Sequence, residues 1–590
     1  MKILRYRKAI RIIEMKKALF CFTFLTATQS AISSSQFETF FEQTNGAETA
    51  TYQQVIHYYQ KLSHEFDTIQ IQTFGETDSG KPLHLVIFNK DGLKKIKPRL
   101  IRKSVLLINN GIHPGESDGI DATMMLFRDL ASGKIPAPEN VIIATIPIYN
   151  IGGSLNRNST SRTNQNGPRE YGFRGNARNY DLNRDFIKCD TKNCKAFTEL
   201  LHQLKPDVFI DNHVSNGADY QYTLTHLFTQ HNKLRGKSGE YLQEFLMPEL
   251  EKKLKLKNWD ITPYVNVFND VPEKGFNQFM DYPRYSTGYT TLFNTLGMMV
   301  ETHMLKPYKQ RVEGTYQLML SMIEIMQKES DKIITLRQDF HKEIYNQDLY
   351  TLNWQIDGEK SSMLNFKGFE GEMIDSKVTN QKRLKYDRTK PFNKAVKFQN
   401  YFKPALQITM PKAYIIPQGW HNVIDLLKLN NVAMNTLDID SDYQVESYRI
   451  TDYETSKTPY EGHYPHSNTQ ISKTIEQKSF KKGDYIIEVN QPSIRYILET
   501  LEPQAPDSFF KWNFFDTILQ QKEHFSPYVF EDIAEQMLKD NPEIAKEFRE
   551  KQDTDKEFAE NWYAQLDWLH KHSEHYEKTH MLYPVYRILK

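Results

Sequence analysis

The chain has 590 residues, 75 basic against 74 acidic, with 39% hydrophobic and 13% aromatic residues. That length is enough for about two to four domains of ordinary size, each with its own core. The 35 Phe and 33 Tyr exclude a disordered chain, 26 Gly and 25 Pro exclude a collagen-like one, and 3 Cys cannot staple a chain this long.

The first segment reads as an address rather than as structure. Lys2, Arg5, Arg7, Lys8, Arg11, Lys16 and Lys17 precede the apolar run ALFCFTFL (18–25), and small residues follow to Ala31. This order predicts a secretory signal peptide over 1–31, with Met15 as an alternative start, and hence a secreted or periplasmic protein. The apolar run is too short to span a bilayer stably, and no stable membrane insertion is expected after the leader is removed. Without those seven basic residues and Glu14, 68 basic and 73 acidic residues remain, a net charge of −5. That balance disfavours nucleic acid or an anionic membrane as the main partner. The remaining cysteines, Cys189 and Cys194 in CDTKNC, can close a small loop by a disulfide or stay as two free thiols.

Between about residues 50 and 335, apolar runs alternate with amphipathic stretches. LHLVIF (83–88), SVLLINN (104–110), NVIIATIPIYN (140–150), DVFIDNH (207–213) and GMMVETH (297–303) read as strands. Helical patterns at 121–131, 195–204 and 314–328 separate them. Strands with almost no polar face imply a sheet covered on both sides. The expected fold is therefore α/β: a mixed, largely parallel twisted sheet flanked by helices. The first unit is set at 37–335, and 336–590 forms a C-terminal α+β region. Within that region, 355–400 is polar and Lys-rich without clear periodicity. Residues 413–432 and 483–502 each read strand, turn, helix, and the last ninety residues read mostly as helix.

Polar residues gather just beyond the strand ends, where open α/β sheets bind ligands. His113 and Glu116 follow SVLLINN, three apart in a turn; His213 ends DVFIDN; Glu301-Thr302-His303 ends GMMV. Two His and one Glu give zinc three ligands and leave a fourth position open, and a further carboxylate can take a proton from water. Asp181-Leu182-Asn183-Arg184-Asp185 adds an Arg beside an Asn, a pair suited to holding a carboxylate.

HPGE (113–116), DLNRDF (181–186), His213 in DNHVSNG and the Glu of ETH (301–303) together resemble the M14 zinc carboxypeptidases, in that family's order. FGETDSGKPLHLVIF (74–88) resembles the segment preceding the first metal motif there, and the likeness covers roughly 50–330. The resemblance implies one Zn2+ per chain held by His113, Glu116 and His213, with Glu301 as general base. It implies Asn183 and Arg184 as the grip on the terminal carboxylate of a peptide substrate with a free C-terminus, and Asp181 as the carboxylate orienting His113. An Arg that polarises the scissile carbonyl is expected at Arg162, with Arg157 and Arg169 nearby. A capping Tyr is expected at Tyr285, with Tyr282 and Tyr289 as neighbours. Two other readings stand beside a metallocarboxypeptidase: a zinc deacylase or amidase acting on acyl amino acids or peptidoglycan stem peptides, and a non-catalytic binding protein. Side-chain preference, oligomeric state and the role of 336–590 are not legible.

Overall fold

A computed structural model describes residues 37–92 and 102–590. The leader expected over 1–31 lies outside the described residues. Among those described, no helix is long and apolar enough to cross a membrane.

The strands in chain order begin with β1 (Ile69–Glu76), β2 (Pro82–Phe88), β3 (Ser104–Asn109), β4 (Val141–Ile146), β5 (Val208–Ser215) and β6 (Leu224–Phe228). β7 (Ile261–Pro263), β8 (Phe276–Asn277) and β9 (Leu296–His303) complete the first half. All but β8 form one eight-stranded sheet of order β1-β2-β4-β3-β5-β9-β6-β7. Its centre, β4-β3-β5-β9, is parallel, while β1, β2 and β6 pair antiparallel. Every residue of β3, β4 and β5 is buried, as expected for strands covered on both faces. Helices Asp118–Ala131, Lys192–Leu204 and Tyr308–Tyr345 supply that cover. The expected mixed α/β sheet flanked by helices is therefore observed.

The polar stretch after residue 345 is also strand. β10 (Leu349–Ile356) pairs with β13 (Phe402–Thr409), and β11 (Ser362–Asp375) with β12 (Lys382–Gln399) forms a long hairpin that adds β8 at its end. A six-stranded sheet follows, made from β14 (Pro411–Ile416), β15 (Asn435–Thr436), β16 (Ser441–Thr455), β17 (His466–Phe480), β18 (Tyr485–Glu488) and β19 (Tyr586–Leu589). The expected strand–turn–helix units appear as β14 with helix His421–Leu429 and β18 with helix Ile494–Leu501. Helix Tyr308–Tyr345 runs across residue 335, and one apolar core extends from Phe37 to Val585.

The disulfide is corrected. Cys189 and Cys194 are both free, buried thiols. Thr191 Oγ1 accepts the Cys194 N–H (3.1 Å) at the start of helix Lys192–Leu204. In the first turn of that helix the Cys194 thiol is buried and donates to the Asp185 carbonyl (3.5 Å).

Candidate metal centre and substrate cleft

The parallel register brings the site together before any side chain is considered. β5 and β9 are neighbours with His213 directly opposite Glu301. β3 lies on the other side of β5, so the turn that follows it carries His113 and Glu116 over the same sheet edge. Glu116 N donates to the His113 carbonyl (2.8 Å), closing that turn ahead of helix Asp118–Ala131. Gly115 is required there, because a Cβ would lie 2.2 Å from Arg162 Nε and 3.0 Å from the Gly172 carbonyl.

Both imidazoles are oriented by carboxylates. His113 Nε2–H donates to Asp181 Oδ1 (2.9 Å), and His213 Nε2–H donates to Asp211 Oδ2 (3.0 Å). With Nε2 engaged in this way, each ring turns its Nδ1 inward, the arrangement metal-bound histidines ordinarily have. The two Nδ1 atoms stand 3.2 Å apart, and Glu116 lies 2.9 Å from His213 Nδ1 and 3.2 Å from His113 Nδ1. Two facing lone pairs beside a carboxylate require positive charge between them. His113, Glu116 and His213, all buried, have ligand atoms within 4.8 Å of one another, so this donor set fits a divalent cation such as zinc. Burial opposes a charged His213, yet Asp211 and Glu116 raise its pKa well above the usual range. A proton and a metal ion therefore compete for the same nitrogen.

Asp181 is held by more than one partner. Oδ1 also accepts the Asn183 N–H (2.9 Å), and Oδ2 accepts from Arg174 Nε (3.0 Å) and Nη2 (2.8 Å). Burial works against its charge, but His113, Arg174 and Arg184 hold the carboxyl far below the usual carboxylate range. Asp211 has no exposed surface and is braced by Asn109 Nδ2 (3.1 Å) and the Ser286 hydroxyl.

The cleft has a volume of about 490 Å³ and is lined by every expected site residue except Asp181, which stands behind His113. Burial, reinforced by Glu116 and Asp211 and opposed by His213 and Arg174, pushes Glu301 up to about 8. A carboxyl in that state is suited to accepting and returning a proton near neutrality. Asn183 Oδ1 accepts the Ser286 N–H (3.0 Å), which leaves the amide N–H2 for the cleft. The Arg184 guanidinium lies 4.6 Å from the centre of the Tyr285 ring, so these two residues form one wall.

Of the arginine alternatives, Arg162 reaches the cleft and donates to Glu116 Oε1 (2.7 Å). Arg157 bonds the Glu170 and Thr49 carbonyls, and Arg169 is exposed and pairs with Glu48; neither lines the cleft. Tyr282 donates to Asn353, and Tyr289 is buried against Thr198 and Asn430, so Tyr285 alone of the three reaches the cleft. Two cleft residues escape sequence reasoning. Arg174, in GFRGNA, has no periodic or motif signal, and only its bonds to Asp181 reveal it. Tyr264 follows the three-residue strand β7, too short to be read as a strand end; burial and the nearby Glu301 raise its phenol well above the usual range.

No family model matches the chain. Carboxypeptidase 2 of Trichophyton rubrum is 21% identical over 427 residues, covering 69% of this chain and 73% of that protein. Carboxypeptidase 2 of Trichophyton equinum is 21% identical over 421 residues, covering 68% and 72%. Among solved structures, a metallo-carboxypeptidase from Burkholderia cenocepacia aligns with TM-score 0.34 and 16% identity, over 47% of this chain and 68% of that one. A metallo-carboxypeptidase from Pseudomonas aeruginosa aligns with TM-score 0.35 and 12% identity, over 47% and 69%. The resemblance to metallocarboxypeptidases carried by HPGE and DLNRDF is thus met by relatives that bear the carboxypeptidase name.

Proposed function

We propose that the protein is an exported zinc metallocarboxypeptidase that removes C-terminal residues from peptides. The observation that carries this reading is the joining, in one cleft, of a His-Glu-His donor set, the half-buried Glu301 carboxylate and an Asn-Arg pair. Zinc held by His113, Glu116 and His213 would supply Lewis-acid activation of water and of the scissile carbonyl. Glu301 takes the proton of the attacking water and returns it to the leaving amine. Asn183 and Arg184 bind the substrate's terminal carboxylate, with Tyr285 packed against the Arg184 guanidinium as the cap of that end. Arg162 and Arg174 bring positive charge to the Glu116 side of the cleft, where the carbonyl oxygen becomes anionic.

The chain's own residues also suggest which C-terminal residue enters. Leu227 and Met299 are cross-strand partners of β6 and β9, two residues before Glu301, and both line the cleft with Phe268 and Phe279. These apolar side chains lead the reading to favour an apolar or aromatic C-terminal residue over a basic or acidic one.

The test is a pair of peptides identical except for a free or an amidated C-terminus, both ending in Phe, incubated with the zinc-loaded protein. Cleavage of the free acid alone supports the reading. Equal cleavage of both would replace it with an endopeptidase or amidase.

A further inference from the structure

The second long hairpin turns at residues 456–465, and its tip reaches the site from behind. Tyr460 and His463 close the turn by paired main-chain bonds (2.8 and 3.1 Å), with Glu461 and Gly462 between them at φ 49° and 80°. Two successive positive φ values are the signature of a tight hairpin turn that favours Asn-Gly or Gly-Gly. A glutamate in the first of these positions is held against its own backbone preference.

Its side chain supplies the compensation. Glu461 Oε2 accepts the main-chain N–H of Asp181 (2.8 Å). On either side, the tip grips the same segment. A Cβ on Gly462 would lie 2.6 Å from the Tyr180 hydroxyl and 3.1 Å from its ring, so only glycine permits that approach. His463 Nε2–H donates to Asp190 Oδ2 (2.8 Å). Three consecutive tip residues thus contact Tyr180, Asp181 and Asp190, which bracket the turn whose Asp181 orients His113 and whose Asn183 and Arg184 face the cleft. Tyr460 stacks on Trp512 (centroids 6.2 Å apart, 20° between planes), tying the tip to the C-terminal region's core.

We propose that Glu461 is a positioning residue for the site: through the Asp181 N–H it holds the Asp181–Arg184 turn in register with the cleft, so that the C-terminal region is part of the active-site assembly. The meaning given to that turn rests on the proposed metallocarboxypeptidase function. Glu461 touches neither the cleft nor the metal donors, and it acts through Asp181 alone.

The experiment compares full-length Glu461→Ala, Glu461→Gln and Gly462→Ala with the wild type. Three readouts are taken: amide hydrogen exchange over 180–186, the rate of zinc loss to a chelator, and kcat and KM on a peptide with a free C-terminus. Glutamine keeps an acceptor oxygen and should behave as wild type. Glu461→Ala should speed exchange at the Asp181 amide and hasten zinc loss by about five- to twenty-fold, around the lower end of the 10- to 100-fold typical for losing a ligand's direct support, because Glu461 stands one bond further out. It should also raise KM more than it lowers kcat. Gly462→Ala, which pushes the tip off Tyr180, should copy it. Wild-type exchange and zinc loss in Glu461→Ala would overturn the proposal, as would a Glu461→Gln variant as impaired as the alanine. If the wild type cleaves no peptide, the proposed function fails, while the exchange and zinc readouts still decide the role of Glu461.

Discussion

Asp181→Asn is the substitution that most sharply probes how the metal donors are held. The carboxylate accepts on both oxygens: His113 and the Asn183 N–H on one, Arg174 twice on the other. An asparagine has one acceptor oxygen and one N–H2. If the oxygen faces His113, the N–H2 confronts the Arg174 guanidinium; if it faces Arg174, the N–H2 confronts the His113 N–H. Either way one orienting interaction becomes a repulsion: the Arg174 brace behind the acceptor in the first orientation, the His113 partner that fixes its tautomer in the second. Removing such a partner typically costs about 10- to 100-fold in metal affinity, equivalent to about 1.4 to 2.8 kcal/mol. The assay is competition for zinc between the protein and a chromophoric chelator at fixed pH. Full-length Asp181→Asn should bind zinc within that weakened range while remaining folded by circular dichroism. Zinc affinity within twofold of wild type would refute the argument that Asp181 orients a metal ligand.

Glu301→Gln should keep its zinc and lose about a hundred- to ten-thousand-fold in kcat, because it removes the proton acceptor and spares the donors; turnover near wild type would take Glu301 out of the mechanism. Arg184→Ala should lower kcat/KM on peptides with a free C-terminus by about 10- to 100-fold, the worth of charge-assisted hydrogen bonds, and an equal loss on carboxyl-blocked substrates would contradict its assigned partner. Zinc affinity should rise with pH. The neighbouring carboxylates raise the pKa of His213, so the metal-free protein holds a proton on the ring below that raised pKa, and zinc must displace it. Calorimetry in buffers of different ionisation enthalpy should register proton release on zinc binding near neutral pH, and no proton release would remove that competition.

The sheet was readable because its strands announce themselves. SVLLIN, VIIATI and VFID carry almost no polar residues, so they could only be strands covered on both faces. The candidate site was readable for a related reason: His113 and Glu116, His213, and Glu301 each follow an apolar run, and the parallel register of β3, β5 and β9 brings those strand ends side by side. Residues 355–400 were not read as strands because β11 and β12 are largely solvated on both sides, so lysines replace the alternation that marks a half-buried strand. Arg174 and Glu461 were out of reach for another reason. Each bonds Asp181, from seven and 280 residues away in sequence, and no local pattern encodes such a contact. The disulfide was not decidable from CDTKNC, because that spacing suits a closed loop and two buried thiols equally, and the two cysteines are free and buried.

The most direct test of the central claim is a digest of a mixed peptide library by the mature protein carrying stoichiometric zinc, read by mass spectrometry. A ladder of C-terminal truncations, strongest at apolar and aromatic residues and abolished by a chelator, is the expected result. Intact C-termini, with one zinc tightly bound per chain, would contradict the carboxypeptidase reading and leave the metal centre to an amidase or deacylase.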